Sequence, residues 1–222
     1  MRKTSYVLTL FAVLITLTFN IVSLLRPDWL TVHTAIVGSK SDVFYGLMSR
    51  CEASQFRIPT GGSGGKDGGE ITWRTAYKCR PFPSRSMDNC DNENKLFCVE
   101  WTTAGYLTEL SAGFGVVACL AIIFGVTTHS RRRRIWRAVA ALVALHASLQ
   151  LAAFTLITDT YRYNKYPSFE YARPGLAYIL NVLSWAFGIL ITFGVLVTGV
   201  AAHHGHRWAA GNRAYRPISQ QT

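Results

Sequence analysis

Apolar residues gather in four blocks along the chain, 5–25, 104–128, 135–158 and 176–202, and polar residues fill the segments between them. Each block is about the twenty residues needed to cross a hydrocarbon core of about 30 Å. Unpaired backbone groups are too costly in lipid, so each block is expected to be a helix and the four together a membrane bundle. The stretch from Trp29 to Cys98 is different. It has no apolar run long enough to span and holds four of the five cysteines, Cys51, Cys79, Cys90 and Cys98, which reads as a folded module cross-linked by disulfides. Within it Leu30, Val32, Ala35 and Val37 interleave with Thr31, His33 and Thr34, Val43-Phe44-Tyr45 is a short β-branched and aromatic run, and Ile71, Trp73, Thr75 and Tyr77 share one face of an extended chain. These segments predict a small antiparallel sheet. The expected class is all-α membrane, a four-transmembrane-helix bundle with a disulfide-bonded β-sheet in its first loop.

Composition agrees with that pattern, with half of the 222 residues hydrophobic and only 16% charged. The first block follows a positive start, Met1-Arg2-Lys3, as a cleaved signal would. It runs for 21 apolar or weakly polar residues, however, and ends in Leu24-Leu25-Arg26-Pro27-Asp28 without a small-x-small site; signal cores are about 7–15 residues, so a retained helix is expected. The segments 1–4, 129–134 and 203–222, with Arg137 just inside the third helix, carry ten basic residues (Arg2, Lys3, Arg131, Arg132, Arg133, Arg134, Arg137, Arg207, Arg213 and Arg216) and no acidic one. The loop 26–103 has ten Lys or Arg against nine Asp or Glu, a net charge of +1. The positive-inside rule then puts both termini and the tetra-arginine turn in the cytoplasm, and loops 26–103 and 159–175 outside; the expected location is the plasma membrane. The formal charge of +11 is mostly a topology signal; nucleic-acid binding would need a basic face interleaved with aromatics on a soluble domain. Arg131 to Arg134 are also expected to attract anionic lipid, at about 1 kcal/mol per basic residue.

Candidate chemistry is sparse. Four cysteines allow three pairings, and sequence alone does not choose among them. The expected pairs are Cys51 with Cys79, bracketing a loop with six glycines in residues 60–69, and Cys90 with Cys98, closing an acidic turn. Zinc is the alternative, but no close C-x₂₋₄-C pair occurs, and Cys119 in the second helix reads as a buried small apolar residue. Gly61, Ser63 and Gly65 match G-x-S-x-G without the strand and helix a nucleophile elbow needs. Glu109, His146 and Gln150 are intramembrane polar groups, with Glu109 and Gln150 expected within about one helical turn of each other. They read as register-fixing hydrogen bonds, with an ion or proton route as the competing reading. His203, His204 and His206 suggest a metal tract but lie where an interfacial cap is expected. No helix presents a catalytic set, so the expectation is no enzyme activity and no cofactor or metal.

Ser111 with Gly115, Ala121 with Gly125, Ala140 with Ala144, and Ser184 with Gly188 are small-xxx-small pairs that let helices approach closely. Trp101, Tyr106, Trp136, Tyr161, Tyr163, Tyr178 and Trp208 are expected in interfacial belts. The second loop, rich in tyrosine and arginine, has residue types enriched where proteins meet.

Trp29 soon after the first helix, then Tyr45-Gly46-Leu47-Met48, Cys51 and later Cys79, resembles the first loop of the claudin and peripheral-myelin-protein superfamily, in particular its lipoma-fusion-partner-like and fungal cell-cortex branches. Met48 stands where that motif has its second tryptophan, and the cysteines are 28 positions apart rather than the family's shorter spacing. The resemblance implies a non-enzymatic protein of adhesion, membrane organisation or assembly, binding another integral membrane protein or itself through its outer module. The alternative is an auxiliary subunit of an ion channel, transporter or pump.

Overall fold

The computed structural model describes residues 3–36, 39–59, 71–127 and 132–206. The glycine loop with its G-x-S-x-G match, Arg131 and the tail with Trp208 fall outside the described residues, as do the side chains of Ile71, Trp73, Thr75 and Arg132 to Arg134. The elements in chain order are α1 (Lys3–Leu25), β1 (Leu30–Ile36), β2 (Ser39–Tyr45), β3 (Ser49–Pro59), β4 (Ile71–Pro81), α2 (Lys95–Thr127), α3 (Arg132–Arg162), a 3₁₀ turn (Pro167–Phe169), β5 (Arg173–Pro174) and α4 (Leu176–His203). Among the described residues, four stretches are long and apolar enough to cross a membrane, Thr4–Leu25, Lys95–Gly125, Ile135–Arg162 and Leu176–His203. The chain is therefore a multi-pass membrane protein.

Helix ends follow local chemistry. Pro27 lacks an N–H and disfavours helix at the residue before it, so α1 stops at Leu25. Gly205, at φ 79°, closes α4, with His206 N–H on the Ala201 carbonyl at 3.1 Å and Gly205 N–H on Ala202 at 3.3 Å. Helix α2 begins at Lys95, ahead of the block that starts at 104. The Asn94 carbonyl accepts the Cys98 N–H at 2.9 Å, and the added turns bury Phe97 and Trp101.

The chain divides into two compact units, Val22–Tyr106 with Ala153–Leu180, and Met1–Ile21 with Leu107–Ala152 and Asn181–Thr222. The first is the sheet unit. Its five strands run in the order β4-β3-β2-β1-β5, with every pairing antiparallel. Two strands were not anticipated. β3, with the sequence SRCEASQFRIP, has little apolar alternation and is held by partners on both sides, and β5 brings the second loop onto β1 through Leu30↔Pro174 and Thr31↔Arg173. Cys51 and Cys79 are directly opposite in the β3–β4 register and bonded, and Cys90 is bonded to Cys98.

The sheet unit's core is aromatic. Tyr45, Phe82, Phe97, Trp101, Tyr166 and Phe169 are all buried, with centroids from 4.4 Å for Phe97–Tyr166 to 6.4 Å for Tyr45–Tyr166. Trp101 is therefore a core residue rather than part of an interfacial belt, because the early start of α2 turns it inward. Of the other expected belt residues Tyr106 and Tyr163 are exposed, and Trp136 is buried.

The helical unit packs Tyr6, Val13, Leu17, Ala118, Ile122, Val139 and Val143 into one cluster, with the free thiol of Cys119 among them. Small residues sit where helices meet: a Cβ on Gly188 would reach the Cβ of Ala147 at 2.9 Å, and one on Gly199 would run into the Trp136 ring.

At Gly46 a Cβ would meet the Pro27 Cα at 2.6 Å and the carbonyls of Arg26 and Ser49 at 3.0 Å. Backbone cannot give way as a side-chain end can. Gly46→Ala is expected to destabilise the sheet unit by about 1–3 kcal/mol, seen as a lower melting temperature in detergent with the four helices still inserted.

Candidate functional site

The residues of the W…GL…C…C pattern converge. Trp29 and Leu30 are fully buried. The Trp29 indole donates to the Ser23 carbonyl at 2.8 Å, and its ring meets Tyr178 edge-on at 6.3 Å. The Gly46 carbonyl accepts the Trp101 indole N–H at 3.1 Å, Leu47 is buried and Met48 is 47% exposed. Trp101 thus places a second indole beneath this turn while Met48 points outward. The sheet exposes His33 and Tyr77 on one face, in the cross-strand row of His33, Asp42, Ala53 and Tyr77, and Thr34, Glu52 and Lys78 on the other. β4 is the sheet's edge strand, eleven residues long.

A buried ion-pair knot fastens the base of the sheet, and nothing in the sequence pointed to it. The Asp88 carboxylate, with its side chain 0% exposed, accepts Arg80 Nη2 at 2.6 Å and Nη1 at 2.8 Å, the Ser84 N–H at 2.7 Å and the Tyr166 hydroxyl at 3.0 Å. Burial alone would push Asp88 up, but the Arg80 guanidinium and the Ser84 and Tyr166 donors hold it below the ordinary carboxylate value. Burial and the Asp88 charge push the Tyr166 hydroxyl up to about 12. A second knot joins Lys165 Nζ to Glu100 at 2.8 and 2.9 Å and to Asp159 at 2.6 Å, and these partners raise the Lys165 pKa, Asp159 first.

In the helical unit, Asn20 Nδ2 donates to Ser111 Oγ at 3.0 Å, and Ser111 Oγ donates to the His146 carbonyl at 2.9 Å. His146 Nδ1 lies 2.8 Å from the Ser111 carbonyl, so that nitrogen carries the proton; His146 Nε2 then accepts from Gln150 Nε2 at 2.9 Å. All four residues are 0% exposed. Ser184 Oγ donates to the Thr16 carbonyl at 2.7 Å, linking α4 to α1. Glu109 is half-buried and is not part of this chain of bonds; Gln150 meets His146, and the α2 contribution comes from Ser111. Asn20, which joins α1 to α2, was not singled out, although an amide inside an apolar block is the same signal that Gln150 gives.

His203, His204 and His206 are exposed at the end of α4, and no group of three metal-ligating side chains occurs among the described residues. No family model and no curated protein matches the chain.

Asp88 has a depressed pKa in the folded state, so its contribution is present above the unfolded value of about 4 and is lost as pH falls further. Tyr166 has a raised one, so its contribution is complete below about pH 10 and is lost as pH rises through about 12. Tryptophan fluorescence of the detergent-solubilised chain is expected to show loss of the sheet unit at both extremes. Asp88→Asn is expected to flatten the acid limb and to cost up to about 3 kcal/mol at pH 7 by leaving Arg80 unpaired. Ser111→Ala is expected to cost about 1 kcal/mol, in the range of interhelical hydrogen bonds in membranes, read by reversible unfolding in bicelles.

Proposed function

We propose that this chain is a claudin-like, non-enzymatic membrane protein of the plasma membrane that works by contact, in adhesion, membrane organisation or assembly, through a sheet module on the outer side. The observation that carries this reading is the open edge of β4 on a sheet locked by the Cys51–Cys79 bond. An edge strand presents unpaired N–H and C=O groups, a template for adding a strand from a second chain. The disulfide and the aromatic core beneath keep that edge in one conformation, which lowers the ordering cost of binding. The convergence of Trp29, Gly46, Leu47, Cys51 and Cys79 supports the claudin-like assignment, with Met48 and the long cysteine spacing as its departures. Asn20, Ser111, His146 and Gln150 of the helical unit are joined in one chain of hydrogen bonds, which supports a structural role for them and contact rather than chemistry as the mode of action.

Two differently tagged copies, co-expressed and extracted in mild detergent, test this reading by sizing and mass spectrometry. Self-association lost in the Cys51→Ser/Cys79→Ser double variant, with the helices still inserted, is the expected result. A larger membrane protein recovered in fixed ratio would make the chain an accessory subunit instead, and a lone monomer that binds nothing would overturn the contact reading.

A further inference from the structure

We infer that the sheet unit holds one phospholipid in a groove where the end of α1 meets the sheet. The groove encloses about 510 Å³, within the range of about 300–1,000 Å³ of ligand sites. Its floor is the last turn of α1, where Val22 is 37% and Leu25 73% exposed. Three residues apart, these two side chains lie on one helix face, and on a membrane span such an exposed apolar face meets acyl chains. The walls are Phe44 and Tyr77, on β2 and β4.

The polar groups come at one end. Arg26 follows Leu25 directly and lies one turn, about 6 Å, beyond Val22. Asp28 grips its guanidinium through Nε and Nη2, each at 2.8 Å, which fixes the plane of the fork. Nη1 keeps both of its protons, and the arginine side chain is 45% exposed, whereas the Asp28 side chain is only 13% exposed. Asp28 also lines the groove, but both of its oxygens are taken by Arg26, so Nη1 is the charged donor left for a ligand. A guanidinium held this way matches the oxygens of a phosphodiester. Tyr77, exposed and lining the groove, adds a hydroxyl.

An apolar floor leading to one fixed cation is the polarity of a phospholipid, chain first and headgroup last. A partner helix would want apolar surface along its whole length, and free phosphate would have no use for Val22 and Leu25. The groove takes the Tyr77 side chain from β4, whereas strand addition uses that strand's backbone, and the test uses the isolated chain, so its failure would leave the contact reading standing and the reverse also holds.

The full chain, delipidated in mild detergent, is titrated with dioleoylphosphatidylcholine, dioleoylphosphatidylglycerol or dioleoylglycerol and examined by native mass spectrometry. One phospholipid of either headgroup is expected to survive the activation that strips bulk lipid, and dioleoylglycerol is not. Arg26→Gln is expected to lower that occupancy about tenfold, the loss of a charge-assisted hydrogen bond. Leu25→Gln is expected to lower it as well, and Arg162→Gln, an exposed arginine that does not line the groove, is not. Because Arg26 is exposed and bonds only Asp28, its loss is compatible with folding; Arg26→Lys, which keeps the charge but not the fork, is expected to bind at an intermediate level. Equal retention by the wild type and Arg26→Gln, retention of dioleoylglycerol equal to that of the phospholipids, or no retained phospholipid would each overturn the proposal.

Discussion

The sheet unit depends on how one carbonyl at the end of a membrane helix finds a donor. In a continuing helix the Ser23 carbonyl would accept the N–H four residues on, but that residue is Pro27, which has none. A carbonyl left bare near lipid is costly. The Trp29 indole fills the gap at 2.8 Å, so proline ends α1 and tryptophan repairs the end that proline creates. Once the indole is fixed, the Trp29 N–H bonds the Tyr45 carbonyl at 3.0 Å and its carbonyl takes the Gly175 N–H at 2.9 Å. One residue thereby ties the end of α1 to the last residue of β2 and to the turn before α4. Gly175 must lack a side chain for this, since a Cβ there would run into the Asp28 carbonyl.

The rest of the sheet unit is secured by groups far apart in sequence. The disulfides are comparatively local: Cys51–Cys79 staples two neighbouring strands, and Cys90–Cys98 closes eight positions onto the first turns of α2. Neither reaches the second loop. That loop is held by β5 on β1, by Lys165 between Glu100 and Asp159, and by Tyr166 and Phe169 in the aromatic core. Tyr166 belongs to both systems, stacked on Phe97 at 4.4 Å while its hydroxyl bonds Asp88 at 3.0 Å. Packing and ion pairing are therefore coupled through a single side chain, and a change at Asp88 is felt in the core.

The four helices were legible because length and apolarity are local properties, β1 and β4 because their residues alternate, and β2 because Val43-Phe44-Tyr45 is a β-branched and aromatic run. β3 was not, because Ser49, Arg50, Glu52, Ser54 and Gln55 give it no apolar face; two flanking strands make it a strand by supplying its hydrogen bonds. Trp101 was misplaced for a related reason. It lies just outside the block at 104, where a belt residue would be, but α2 starts at Lys95 and buries it. Asp88 was illegible in a stretch that reads as a solvated acidic turn, since its partners lie 8 and 78 positions away. The disulfide pairs are the expected ones, and the β3–β4 register sets Cys51 directly opposite Cys79.

Every ion pair among the described residues lies in the sheet unit, and the helical unit uses amides, hydroxyls and an imidazole. The division follows from the solvent each unit meets. A charge stripped of water is stable only with several donors around it, which Asp88 obtains from a guanidinium, a backbone N–H and a phenol. Helices crossing lipid expose few such donors, because their backbone groups are already spent on the helix. A neutral hydroxyl such as Ser111, donating once and accepting once, fits between two helices at far lower desolvation cost. Small residues must flank it for the helices to come that close, and a Cβ on Gly115, one turn along, would already crowd the His146 ring at 3.1 Å. The pairing of Ser111 with Gly115 is therefore one device: the glycine lets the histidine approach, and the serine bonds it when it arrives.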